Sequence, residues 1–138
     1  MSTNIKQILA IDYGQSKIGL AIANSENRVA FAYDTLKNDN NFWQNLSEII
    51  LKESIELIIV GISQHTEFKK IELRAREFGQ IIKKKFPEIE VEYQNEMFTT
   101  KMAEANLIEK GVKKIKNADD QESARIILQS WLDKSCSI

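Results

Sequence analysis

At 138 residues the chain is long enough for one domain with a substantial core, and 43% hydrophobic with 28% charged residues is the composition of an ordinary globular protein. A net charge of −1 excludes the strongly basic balance of proteins that coat nucleic acid, so any such binding has to come from a local patch. No apolar run is long enough to span a membrane, no secretory leader is visible, and the single cysteine, Cys136, permits no internal disulfide. Together these features imply a soluble protein of a reducing cytoplasm. The expected organisation is a single domain over 1–138, with short tails at about 1–4 and 134–138.

The run from Ile8 to Ala23 places two aliphatic stretches around a polar break at Gly14–Lys17. It predicts a tight hairpin with strands near 7–13 and 18–24. Asn24 to Asn27 is a polar turn, and Arg28 to Tyr33 reads as a third strand, completing an antiparallel meander. Residues 37–41 are loop by composition. Phe42 to Glu53 carries apolar residues at 42, 43, 46, 49 and 50, a helical stripe that Asn40 or Asn41 could cap. Glu56 to Ile62 is short, branched and continuous, the pattern of a strand buried on both faces.

A long helix follows, with Phe68, Ile71, Ala75, Phe78 and Ile82 on one face, and Pro87 prevents it from continuing. Ile89 to Tyr93 alternates as a half-exposed edge strand. A short helix over 99–109 ends at Gly111, a basic loop spans 112–118, and a last helix runs from about Asp120 to Asp133. Lys69-Lys70, Lys83-Lys84-Lys85 and Lys113-Lys114-Lys116 are the local basic patches, although short charge runs are usually solvated faces. The order βββαβαβαα predicts a five-stranded mixed α/β sheet flanked by helices. Two right-handed crossovers put the 57–62 strand beside the opening strand and the 89–93 strand outside it.

Ligand sites in such a sheet form at the strand ends near the switch in strand order. Asp12 lies late on the first strand, where an uncompensated carboxylate is costly, unless it merely caps the turn. Glu96 falls just beyond the edge strand. Asp119 fits an N-cap, with Glu122 completing a capping-box-like pair. Asp120 instead falls on the inward stripe 120, 124, 127, 131 and has no such bland explanation. Three converging acids repel one another unless divalent cations neutralise them, and hard carboxylate oxygens suit Mg²⁺ or Mn²⁺ rather than zinc. The alternative is three unrelated solvated acids.

The pattern Ile11-Asp12-Tyr13-Gly14-x-x-x-Ile18-Gly19-Leu20-Ala21 resembles the opening motif of the YqgF/RuvX family, known as candidate pre-16S rRNA nucleases and Holliday junction resolvases. Leu57 to Gly61, Arg74 to Phe78, Asn95-Glu96-Met97-Phe98-Thr99-Thr100 and Asp120-x-x-Ser-Ala-x-Ile-Ile-Leu are similar to its later motifs, in the family's order over nearly the whole chain. The resemblance implies an RNase H-like fold: antiparallel first, second and third strands, then a parallel fourth and fifth. It also implies metal-assisted phosphodiester hydrolysis of nucleic acid, with Asp12, Glu96 and Asp120 as metal ligands and a metal-activated water as nucleophile. Gly14, Lys17, His65, Arg74, Thr99 and Thr100 are the corresponding candidate substrate contacts. Thr99 and Thr100 suit a helix start, where a phosphate could also bind. His65, a lone loop histidine, is otherwise a solvated residue.

The chain departs from the family pattern in the segment Gly61 to Glu67, where a Gly-Leu-Pro-Leu-Asn-type loop is usual. It departs again at Met97 (usually Arg), Asn95 (usually Asp) and Gln15 (commonly Thr). The expected substrate is structured RNA, with processing of the 5′ end of pre-16S rRNA foremost and branched DNA as the near rival. The protein is expected to act as a monomer or weak homodimer. A non-catalytic RNA-binding or ribosome assembly factor is a rival of another class, and a nucleotide-binding module with an Asp-x-Gly hairpin is a third. Trp43 and Trp131 both fall on apolar stripes and are expected in the core rather than as base-stacking platforms.

Overall fold

The computed structural model describes residues 5–62, 69–95 and 116–135. The strands are β1 (Gln7–Asp12), β2 (Lys17–Asn24), β3 (Phe31–Lys37), β4 (Ile55–Ile62) and β5 (Glu90–Asn95), and the helices are α1 (Phe42–Glu53), α2 (Lys69–Lys85) and α3 (Lys116–Ser135). They form one sheet of order β3-β2-β1-β4-β5. β1–β2 and β2–β3 pair antiparallel, whereas β1–β4 and β4–β5 pair parallel. The expected strand order is therefore present, and β1 lies at the centre of the sheet.

Side-chain alternation divides the core into two layers. Leu9, Ile11, Ile18, Leu20, Ile58 and Val60 face α1 and α2, where they pack with Phe42, Leu46, Phe78 and Ile82. Ile8, Ala10, Ala21, Ala23, Leu57 and Ile59 face α3 and meet Ala124, Ile127, Leu128 and Leu132. The α1/α2 layer uses large branched side chains and aromatic rings. Phe42 lies 5.6 Å from Phe78 and 5.1 Å from Trp43 between ring centroids. The α3 layer is built on alanine where β1 and β2 cross beneath it, so that helix approaches the sheet closely.

The helix α1 has the bounds its periodicity predicts. Asn41 occupies the N-cap position but makes no side-chain cap bond. The turn is instead organised by Asp39, whose Oδ1 accepts from the Asn41 amide at 2.9 Å and whose carbonyl accepts from the Phe42 amide at 3.1 Å. Tyr33 joins β3 to α1 by donating to Glu53 at 2.9 Å, and burial, reinforced by Glu53, holds its phenol above the usual range.

The edge strand β5 runs 90–95 rather than 89–93, and two elements differ further from expectation. The third strand runs 31–37 rather than 28–33. Arg28 takes a left-handed φ of 58°, and the Gln129 side chain binds the preceding loop on both sides, accepting from the Ala30 amide and donating to the Arg28 carbonyl. Arg28 to Ala30 thus spends its backbone groups on α3, and the ladder with β2 begins at Phe31. Because β3 is an edge strand, its charged residues Asp34 and Lys37 stay solvated, which is why composition alone read Lys37 as loop. The last helix begins at Lys116 rather than at Asp120, absorbing the end of the expected basic loop. Asp119 is therefore inside the helix and not its N-cap, and Glu122 pairs with Arg125 in place of a capping box. The expected 99–109 helix lies outside the described residues.

Phe42 is 1% exposed at the centre of the aromatic group and Phe31 is 58% exposed on the edge strand. Phe42→Ala should lower stability by about 3–5 kcal/mol. Phe31→Ala should change it by no more than about 0.5 kcal/mol. Urea unfolding of both variants measures the contrast.

Candidate active site

The opening hairpin presents Asp12 at the end of the central strand. Its turn folds tightly enough that a Cβ on Gly14 would overlap the Lys17 carbonyl oxygen, so glycine is required there by space. Asn38 latches the turn from outside. Its Nδ2 donates to the Gly14 carbonyl at 2.9 Å, and its amide donates to the Ser16 carbonyl at 2.9 Å. Asn38 stands in a polar stretch read only as loop, and nothing in its sequence context distinguishes it from its asparagine neighbours. Lys17, half-buried, opens β2 on the far side of the turn, in register with Lys37 of β3.

Asp12 pairs directly with Gly19 across the β1–β2 ladder. Directly paired residues share a face, and Asp12 continues the row Ile8, Ala10 that faces α3. The α3 backbone occupies that face at Gly19. An added Cβ there would overlap the Asp120 carbonyl, with its carbon at 2.5 Å and the Asp120 Cβ at 3.1 Å. Gly19 is thus the seat of Asp120, and the absence of a side chain at Gly19 brings the α3 backbone down beside Asp12. Asp120 is half-buried, with Ala124 and Ile127 completely buried along the same stripe. The inward orientation expected from that stripe is present, although Asp120 sits one turn inside the helix rather than at its start. Further along α3, Glu122 and Arg125 form a paired fork that holds the guanidinium pKa above its usual value, first through hydrogen bonding.

The ends of the parallel strands lie level with one another. Ile11 is in register with Val60, and Ile62 with Asn95. Glu96, the next residue after β5, lies outside the described residues, as do His65, Thr99 and Thr100. Among the described residues no group of three or more metal-ligating side chains occurs. Of the candidate substrate contacts, Gly14 and Lys17 belong to the Asp12 hairpin. Arg74 stands on α2, on the opposite side of the sheet from α3, where it borders a notch with Tyr13, Asn38 and Trp43. Trp43 packs against the core as expected but is only partly buried, and Trp131 is held at its rim by donating to Glu92 at 3.0 Å.

No helix among the described residues is long and apolar enough to cross a membrane. The family model described as "RuvX: Holliday junction resolvase" matches residues 6–134. A protein of Christiangramia forsetii bearing the name "Putative pre-16S rRNA nuclease" is 34% identical over 132 residues, which cover 91% of this chain and 97% of the relative. Among solved structures, a Fowlpox virus resolvase with Holliday junction DNA superposes with a TM-score of 0.64 at 16% identity, over 95% of this chain and 99% of that one. T. thermophilus RuvC in complex with Holliday junction substrate gives 0.60 at 14% identity, over 95% and 96%. The sheet order, the two-sided helix packing and these superpositions make the fold RNase H-like, and by the match along almost its entire length the chain belongs to the RuvX family.

Proposed function

We propose that the protein is a Mg²⁺- or Mn²⁺-dependent nuclease of two-metal-ion type that hydrolyses phosphodiester bonds in structured nucleic acid. The substrate we favour is the 5′ end of pre-16S rRNA in the bacterial cytoplasm. The observation that carries this reading is the seating of Asp120 on Gly19, the strand partner of Asp12. Two carboxylates from distant parts of the chain approach one edge of the sheet, and Glu96 follows the last residue of the neighbouring β5. The names carried by the relatives and the family support a nucleic-acid substrate.

The donor set fits the proposed ions. Asp12 and Asp120 come from separate elements to one half-buried edge, and such hard oxygen donors favour magnesium or manganese. Asp12, Asp120 and Glu96 would hold the metal. When bound, the metal activates a water and stabilises charge at the phosphate. Asp12 is fixed by the β1 ladder and by the turn that Asn38 latches. Asp120 is fixed by the packing of Ala124 and Ile127 behind it. Lys17 would neutralise a flanking phosphate, and Arg74 would meet the same strand from the α2 side of the sheet. In the reaction water adds to phosphorus, the bond to the leaving oxygen breaks, and that oxygen takes up a proton.

Family naming for junction resolution keeps branched DNA as the second substrate to test. The assay is Mn²⁺-supported cleavage of labelled precursor rRNA and a four-way DNA junction in parallel. Asp12→Asn and Asp120→Asn should each lower the rate by roughly three orders of magnitude, the equivalent of several kcal/mol of lost charge stabilisation, while leaving the fold intact. Equal residual cutting by wild type and variants would sink the nuclease reading. Failure of folded wild type to cut either substrate across metals would favour the binding factor.

Gly19 tests the seating itself. Gly19→Ala should lower stability by about 1–3 kcal/mol through overpacking and should weaken Mn²⁺ binding by roughly 10- to 100-fold by shifting Asp120. Gly79→Ala is the control, because its added methyl meets the Tyr93 ring instead. It should cost less stability, because the Tyr93 ring end can shift and alanine favours the helix, and it should leave Mn²⁺ affinity unchanged. Calorimetric titration of the two variants separates these outcomes.

A further inference from the structure

The edge of the sheet that carries Asp12 turns at Tyr13 to the opposite face. There the rings of Tyr13, Trp43 and Phe78 border an open notch of about 210 Å³ with Asn38, Arg74 and Glu77 around it. Tyr13 and Phe78 lie 4.8 Å apart between ring centroids, and Trp43 and Phe78 lie 5.3 Å apart. The rings are already ordered by their packing against the buried core, and Lys85 sits 5.2 Å from the centre of the Trp43 ring. An entering ring would therefore order little that is not already fixed. The volume is below the roughly 300–1,000 Å³ typical of drug-sized ligands, so the notch suits a single flat ring system.

We propose that this notch receives one unpaired nucleobase of the nucleic-acid strand whose backbone crosses the Asp12 edge. The inference rests on the nuclease reading for its choice of ligand and extends it to how the strand is gripped. Three features of the notch favour a base. Aromatic faces stack on any base and so tolerate sequence. The Arg74 guanidinium can lie flat on a base or donate to its carbonyl oxygens, while the Glu77 carboxylate can accept from its amino groups. The helix bearing these two residues holds seven lysines and arginines against two glutamates in a chain of net charge −1, so the polyanionic backbone of the same strand is drawn to this side. The notch lies across the sheet edge from the proposed site and is tied to it through the opening hairpin. Tyr13 follows Asp12 directly, and Asn38, which borders the notch, is the residue that latches the Asp12 turn. A paired base could not enter, so the notch selects strands with a base out of the stack.

The test uses Trp43 as its own reporter. Trp131→Phe leaves it the single tryptophan of the chain, and Asp12→Asn in the same protein prevents turnover. Single-stranded RNA and DNA oligonucleotides should quench Trp43 emission. A blunt duplex and inorganic polyphosphate, which carry charge without an accessible base, should not. Arg74→Ala and the volume-preserving Tyr13→Leu should each weaken single-strand binding by roughly 5- to 150-fold, the range of one lost stacking contact. Arg74→Lys, which keeps the charge but loses the plane, should restore salt-dependent binding and not the full affinity. Equal quenching by RNA and DNA assigns the notch to the base alone, and a preference reports the sugar.

Binding seen by anisotropy without quenching would overturn the notch, as would quenching by polyphosphate or unchanged affinity in Arg74→Ala. The two proposals fail separately. Quenching by single strands with no cleavage by the wild type leaves the base site and removes the nuclease. Cleavage with no quenching does the reverse.

Discussion

A row of positions without bulk on the α3 side of the β1–β2 hairpin governs how the rest of the molecule is arranged: Ala10, Gly19, Ala21 and Ala23. Close packing leaves no tolerance for an extra methyl where a helix backbone already touches a strand. Gly19 is the limiting point, because the Asp120 carbonyl occupies the space its side chain would need. The helix in turn secures the far end of the meander, since Gln129 satisfies the backbone at Arg28 and Ala30 ahead of β3. One element thus fixes both the approach of Asp120 to Asp12 and the start of an edge strand. The other face of the sheet needs no such economy and is filled with Phe42, Phe78 and branched aliphatics.

The parts of this architecture readable in advance were those that burial dictates. β1, β2, β4 and α1 follow aliphatic runs or a helical stripe, and their bounds differ from expectation by no more than a residue or so. The crossover rule then supplied the strand order. The misreadings share a cause. The stretch 28–33 is the more apolar, but Arg28 to Ala30 is bound by a side chain 99 or more positions later, and the real strand carries polar residues that an edge tolerates. Hydrophobic pattern reports burial and not which backbone groups are already taken. The start of α3 went unseen for a related reason, because its first turns contain Lys116, Asn117 and Asp119 and look like loop and cap.

At the candidate site Asp12 was singled out by the cost of a carboxylate late in a buried strand and Asp120 by its place on an inward stripe, and the two lie on the same face of the sheet. What sequence could not supply was the means of bringing them together. Gly19 reads as a strand glycine, and its role exists only once α3 lies on it. Asn38 is one of several polar residues before α1, and only the two hydrogen bonds to the turn set it apart. In both cases the information is a close approach between segments distant in sequence, which neither period nor propensity encodes.

Charge is distributed across the same edge in a way that constrains how a strand can be held. The carboxylates lie on the α3 side, while Arg74 of α2 lies exposed on the other; Lys83 to Lys85 close α2 at the opposite end of the sheet, beside the start of β5. With a chain near neutrality, only a few phosphates can be neutralised at once, and electrostatic affinity of that kind falls steeply with salt. A strand held as proposed would meet Arg74 on the α2 side and the acids on the other. A weak electrostatic grip also leaves register undefined, because phosphates repeat along the strand and carry no information about position. The proposed base site at the Tyr13 notch would answer that deficiency, adding affinity that salt does not screen and selecting a point where a base is unpaired. Affinity, register and chemistry would then come from three different parts of one sheet edge, joined by the hairpin from Asp12 to Lys17 and its latch at Asn38.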